Sequence, residues 1–259
     1  MMDKLEPLAR RFRALYFLAA LPMLFMQAVT AQAGSLIIGT HASVATGSGT
    51  IELGCNNAEI AGALSGLIDG ARDLTFRPGA VLEEAQLGFS GDWRNDGPQG
   101  LNAGVVWTDG CGASVSHMRG NTDLQSLHIF SDSGREIRFD AAGQQSVSDS
   151  LILAAGPGQR LRLRADTASR FASLTLNFGA SQLIDWVDVA WIDSGAGTTI
   201  ASGRPDEFNS VRSGPVRNWF ALAPIPVPTL SLASIALLLL LIGLTGLNPG
   251  RRRAANLSE

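Results

Sequence analysis

Three pairs of acidic residues stand close enough along the chain to act together, Asp92 with Asp96, Asp185 with Asp188, and Asp206 with Glu207. Two carboxylates flanking one bond are what glycoside hydrolysis requires, one as acid and the other as base or nucleophile. Eliminative cleavage of a sugar chain asks instead for a cationic base or metal-held carboxylates. The only lysine, Lys4, lies at the extreme N-terminus, so that route would rest on arginine alone. None of the pairs shows the D-x-D-x-D-G spacing of a calcium loop. Solvated turns are the simpler reading of all three.

Other reactive types are sparser. His41, His117 and His128 are scattered and read as surface residues, with His128 on the outward side of an alternating run. Gly88-Phe89-Ser90-Gly91-Asp92 ends in Asp where a nucleophile elbow needs Gly, and the chain has neither a phosphate-cradling loop nor a dinucleotide fingerprint. Trp93, Trp107, Trp186, Trp191 and Trp219 could include a carbohydrate platform, although aromatic residues at strand positions more often fill a core or a cap. No catalytic residue, metal ligand or cofactor is therefore assigned. Cys55 and Cys111 are the only cysteines. In an oxidising compartment an isolated pair is most simply a disulfide, with two unpaired thiols as the alternative.

The elements that must position these residues are strands. Between the chain's two ends the sequence is dense in Gly, Ser, Thr and Ala, with short alternating runs and little helical periodicity. Three runs line up, Ser126-Leu127-His128-Ile129, Ser150-Leu151-Ile152-Leu153 and Ser173-Leu174-Thr175-Leu176, at spacings of 24 and 23 residues. Downstream of each, apolar pairs recur at matching positions: Ile137 and Phe139, Leu161 and Leu163, Ile184 and Trp186. A unit of this length cannot bury its apolar face alone but can stack on a copy of itself. The expectation is an all-β chain folded as a parallel β-helix, or β-solenoid, over 88–220, with Ile137, Leu161 and Ile184 in one interior ladder. Residues 34–87 match the repeat less clearly and are expected to form an irregular, β-rich N-terminal cap. A β-sandwich of consecutive hairpins is the alternative.

The ends carry addressing signals. Lys4, Arg10, Arg11 and Arg13 precede an apolar run from Ala14 to Met26, and Ala31-Gln32-Ala33 then offers a small-x-small cleavage site. Residues 1–33 are thus expected to be a signal peptide, with Gly34 the new N-terminus. Near the other end Leu230 to Leu247 is 18 uncharged residues, about 27 Å as a helix and close to the hydrocarbon thickness. A Pro-rich linker (221–229) precedes it. Arg251, Arg252 and Arg253 follow in a tail (248–259), predicting a transmembrane helix with its C-terminus in the cytoplasm. The exported body holds 13 arginines against 20 acidic residues, a formal net charge of −7 that argues against nucleic acid as a partner.

Val227-Pro228-Thr229-Leu230-Ser231, the apolar helix and the terminal arginines together resemble the IPTL-CTERM sorting signals of Gram-negative surface proteins, akin to PEP-CTERM tails. That resemblance covers about the last 30 residues. It implies a membrane-embedded sorting protease as a partner and delivery of the body to the cell envelope; a tail anchor that is never cut is the alternative. Gly91-Asp92-Trp93-Arg94-Asn95-Asp96-Gly97 resembles the G-D-W-x-N-x-G element of repeat-rich bacterial surface proteins. Gly120-Asn121-Thr122 before Leu127-His128-Ile129, and Val187-Asp188-Val189 with Asp193-Ser194 before Asn218-Trp219-Phe220, resemble their recurring and closing coils. The expected role is a surface-displayed structural or adhesin-like protein with a surface polysaccharide or another cell-surface ligand as partner. A β-helical enzyme acting on extracellular polysaccharide is the alternative.

Overall fold

The computed structural model describes residues 35–112, 114–195 and 197–220. The expected leader with Ala31, Ala33 and Gly34, the motif Val227 to Ser231, the apolar segment 230–247 and Arg251 to Arg253 lie outside the described residues. No helix among the described residues is long and apolar enough to cross a membrane.

Strands alternate between two sheets. One contains β1 (Ser35–Ile38), β3 (Asn57–Ile60), β5 (Leu74–Phe76), β7 (Trp93–Asn95), β9 (Val115–Gly120), β11 (Glu136–Phe139), β13 (Leu161–Ala165), β16 (Val187–Ala190) and β18 (Val211–Arg212), side by side in that order. The other contains β2 (Ser43–Glu52), β4 (Ala63–Ala71), β6 (Val81–Phe89), β8 (Gly104–Trp107), β10 (Thr122–Ser131), β12 (Gln144–Ala155), β14 (Ala172–Leu176), β17 (Ile192–Asp193) and β19 (Val216–Arg217). A further strand, β15 (Ser181–Asp185), also pairs with β12. Every strand pairing is parallel, because the chain passes through the opposite sheet before returning beside its earlier strand. The result is a parallel β-solenoid of about eight turns. Consecutive hairpins would have paired antiparallel, so the sandwich is excluded.

Alternation supplies the core. Leu36, Ala58, Leu74, Trp93, Met118 and Phe139 stack in register through the first sheet, and Ile68, Leu87, Val105, Leu127 and Leu151 through the second, all buried. Phe76 and Trp93 stack within one sheet with ring centroids 4.6 Å apart, Phe89 and Trp107 within the other at 4.5 Å, and Phe89 meets Trp93 across the core at 5.7 Å. Such pairs add to area burial, and the Phe89–Trp93 contact ties one sheet to the other.

Two expectations about register need correction. Ser126 to Ile129 does pair residue for residue with Ser150 to Leu153, but Ser173 to Leu176 sits on Gln144 to Val147. The twelve-residue β12 offers two platforms: β14 takes its first part and β15 its second, so Ile184 lies beside Leu153 in the opposite sheet from Ile137. The interior ladder in fact runs Ile137, Leu163, Val189, while Leu161 faces Val187. Slipping by two residues preserves which side chains face inward, so alternation alone cannot choose between Leu161 and Leu163. Trp186 lies between β15 and β16 with φ 55° instead of in a strand.

The expected cap is likewise corrected. Residues 35–87 form β1 to β6 of the same two sheets, contributing Leu36, Ile38, Ile60, Leu64 and Ile68 to the continuous core. Their coils are shorter, Ala58 standing opposite Leu74, and so depart from the spacing that reveals the later ones.

Candidate functional site

The acidic residues mostly build corners. Asp73 Oδ1 accepts the Asp92 N–H at 2.8 Å, and Asp92 Oδ1 accepts the His117 N–H at 2.8 Å, so each carboxylate caps a backbone N–H of the next coil. The rest of the G-D-W-x-N-x-G element is equally structural. Trp93 is in the core, and Asn95 accepts the Gly97 N–H at 2.9 Å while donating to the Asn121 carbonyl at 2.7 Å. Gly120 has φ 85° and lies so close to the Asn95 carbonyl that a Cβ there would collide with it. Asp96 pairs with Arg77 at 3.0 Å and Arg94 at 2.8 Å. Asp185 accepts from Asn209 at 2.9 Å, and Asp188 pairs with Arg164 at 2.5 Å. Asp206 and Glu207 sit on an exposed 3-10 turn beside Arg204. None of the three pairs converges on a cleft.

Ser90 is buried, and its hydroxyl accepts the Cys111 N–H at 2.8 Å. Trp93, Trp107 and Trp219 are buried, Trp186 lies under the Arg160 guanidinium at 5.5 Å, and Trp191 packs on Phe171 at 5.5 Å. His41 occupies a turn before β2, and His117 leans on Asp92.

Cys55 and Cys111 form the expected disulfide, with Cα atoms 5.3 Å apart. Cys55 precedes β3 and Cys111 precedes β9, so the coils of β5 and β7 lie between them. The long coil after β8 sends 108–112 back along the stack to make the bond. Beneath that loop Arg135 is 2% exposed; its Nη1 donates to the Thr108 carbonyl at 2.8 Å and to the Ser90 carbonyl. Asp109 lies 3.4 Å from Arg135 Nε and accepts from Ser131 Oγ at 3.0 Å and the Ser133 N–H at 2.8 Å. Burial lowers the Arg135 pKa, and the charges of Asp109 and Asp92 oppose that. Alternation does not reveal this buried cation, because Arg135 follows the Asp132-Ser133-Gly134 turn and precedes its strand.

A cleft of about 500 Å3 opens on the outer face of the second sheet, across β6, β8, β10 and β12. Bulges create it. Glu84 and Ala85 oppose the single Gly66, with Glu84 at φ 51°, and Gln125 on β10 is matched by Ser148 and Asp149 on β12. Each bulge leaves a residue outside the ladder and re-aims its side chain. Gly104 forms part of the floor, Gln86 and Ser126 stand on either side of it in register, and His128 and Ser150 line the far end. His128 Nε2 lies 2.7 Å from Ser150 Oγ, and partial burial lowers the imidazole pKa. Among the described residues no carboxylate hydrogen-bonds the other ring nitrogen. The serine and the histidine thus stand as a pair, without the orienting carboxylate of a triad among the described residues. Sequence reading passes over this site because its residues are spread from 84 to 150 and only the stacking of bulges unites them.

Compared with protein-family models, curated proteins and solved structures, the chain matches none of them.

Proposed function

We propose that the chain is an exported, surface-displayed β-solenoid with a structural or adhesin-like role, held or sorted at the cell envelope through its C-terminal apolar segment. The observation that carries this reading is the Cys55–Cys111 disulfide, which spans several coils and belongs to an oxidising compartment. The stacked coils support it as well, since they give long outer faces over which recognition can be spread, and the cleft on the second sheet offers polar groups to a ligand. The leader-like N-terminus and the arginine-terminated apolar segment point to the same destination.

Protease shaving of intact cells, followed by mass spectrometry, tests the reading. The expected result is release of peptides from 35–220, a mature N-terminus at Gly34 and a cystine linking Cys55 to Cys111. A body that resists protease on intact cells yet is cut in lysates, with Met1 retained, would overturn it.

A further inference from the structure

We infer that the bulge-lined cleft over β6, β8, β10 and β12 binds an uncharged, hydroxyl-rich carbohydrate chain lying across the strands. The inference rests on the reading of a surface-displayed adhesin-like protein and gives that protein its ligand class.

The two outer faces of the solenoid differ in what they leave free. On the first sheet many of the charges are spent on one another: Arg77 with Glu59 at 3.0 Å, Arg94 with Asp96 at 2.8 Å, Arg138 with Glu136 at 2.6 Å. In the cleft the reverse holds. The side chains of Glu84, Gln86, Gln125, Ser126 and Asp149 line it, and among the described residues none of them has a hydrogen-bond or ion-pair partner within the chain. Two amides, a hydroxyl and two carboxylates thus face one open volume as unused donors and acceptors, the chemistry that pairs with sugar hydroxyls.

Spacing and charge narrow the ligand. Adjacent strands lie about 4.8 Å apart, so the four strands span roughly 14 Å along the stack and present polar groups at regular steps, which suits a linear chain of repeating units. Glu84 and Asp149 are the charged residues of the lining, and no cation accompanies them, so an anionic sugar would be repelled. Phe130, 41% exposed and two residues beyond His128 on the same outward side, lies edge-on to that ring at 6.5 Å and offers an apolar surface for the C–H face of a sugar.

The test uses the full chain in detergent micelles and titration calorimetry with neutral hexasaccharides of glucan, mannan and xylan type, alongside hexagalacturonate. Binding of at least one neutral chain is expected, weakened tenfold or more by Gln125→Ala and abolished by Ser126→Trp. Arg138→Ala, on the opposite face, should leave affinity unchanged, and circular dichroism should show each variant folded. Failure of all the neutral chains to bind, tighter binding of the uronate, or affinity that survives both cleft variants would overturn the inference. Shaving reports on display separately: a body that is displayed but binds no neutral sugar sinks the cleft assignment alone, whereas a body that binds but is never displayed sinks the functional reading.

Discussion

Replacing Cys55 and Cys111 together by alanine removes the one covalent link between coils while leaving no free thiol. The two residues are separated by 56 positions, for which loop-closure entropy gives a stabilisation of about 4 kcal/mol. With a guanidinium m-value of roughly 4 kcal/mol/M for a body of this size, the unfolding midpoint should fall by about 1 M. The same loop is held from below by Arg135, whose charge-assisted bonds to the Thr108 and Ser90 carbonyls are worth roughly 3 kcal/mol together. Because both devices restrain 108–112, Arg135→Met should cost less in the disulfide-free background than in the parent, and the double-mutant cycle should show coupling above about 0.5 kcal/mol. Chemical denaturation followed by tryptophan fluorescence measures all four proteins. A midpoint unmoved by losing the disulfide, or strictly additive losses, would refute the idea that the covalent and ionic clamps act on one loop.

Asp92→Ala deletes the acceptor of the His117 N–H and should destabilise by about 1 kcal/mol, with hydrogen exchange at the His117 amide accelerated; an unchanged exchange rate would show the cap to be idle. Partial burial makes His128 titrate below the usual imidazole value of about 6.5, readable in an NMR pH series. The unfolded chain then holds more protons in the window between the two values. Stability is full above pH 6.5 and declines as pH falls through the window, and His128→Gln should flatten that slope.

Composition and alternation were enough to reveal an all-β chain of stacked coils, and Ser126 to Ile129 pairs with Ser150 to Leu153 as the repeat implies. What alternation could not reveal was any slip by an even number of residues, hence the exchange of Leu163 for Leu161 beside Ile137. Nor could it anticipate that β12 carries both β14 and β15, since a strand's capacity for neighbours depends on its length in the fold. The early coils escaped notice because β2, Ser43 to Glu52, is rich in Gly, Ser and Thr and lacks the apolar beat of the later strands. The disulfide was legible from the count of two cysteines and the expectation of an oxidising compartment. The cleft was not, because a bulge leaves no signature in composition and His128 reads as an ordinary outward residue until Ser150 is stacked beside it.

Each coil of the solenoid touches chiefly its neighbours, apart from the turn that runs back from β8 to the start of β3. Under tension applied at Phe220 the strands from β19 backward should peel away one coil at a time, each yielding at a similar modest force. Peeling would halt where the covalent rung joins the early coils into a block that cannot extend without rupture of a sulfur–sulfur bond. A solenoid pulled from that end would thus lengthen while the coils bracketed by Cys55 and Cys111 stay intact for rewinding.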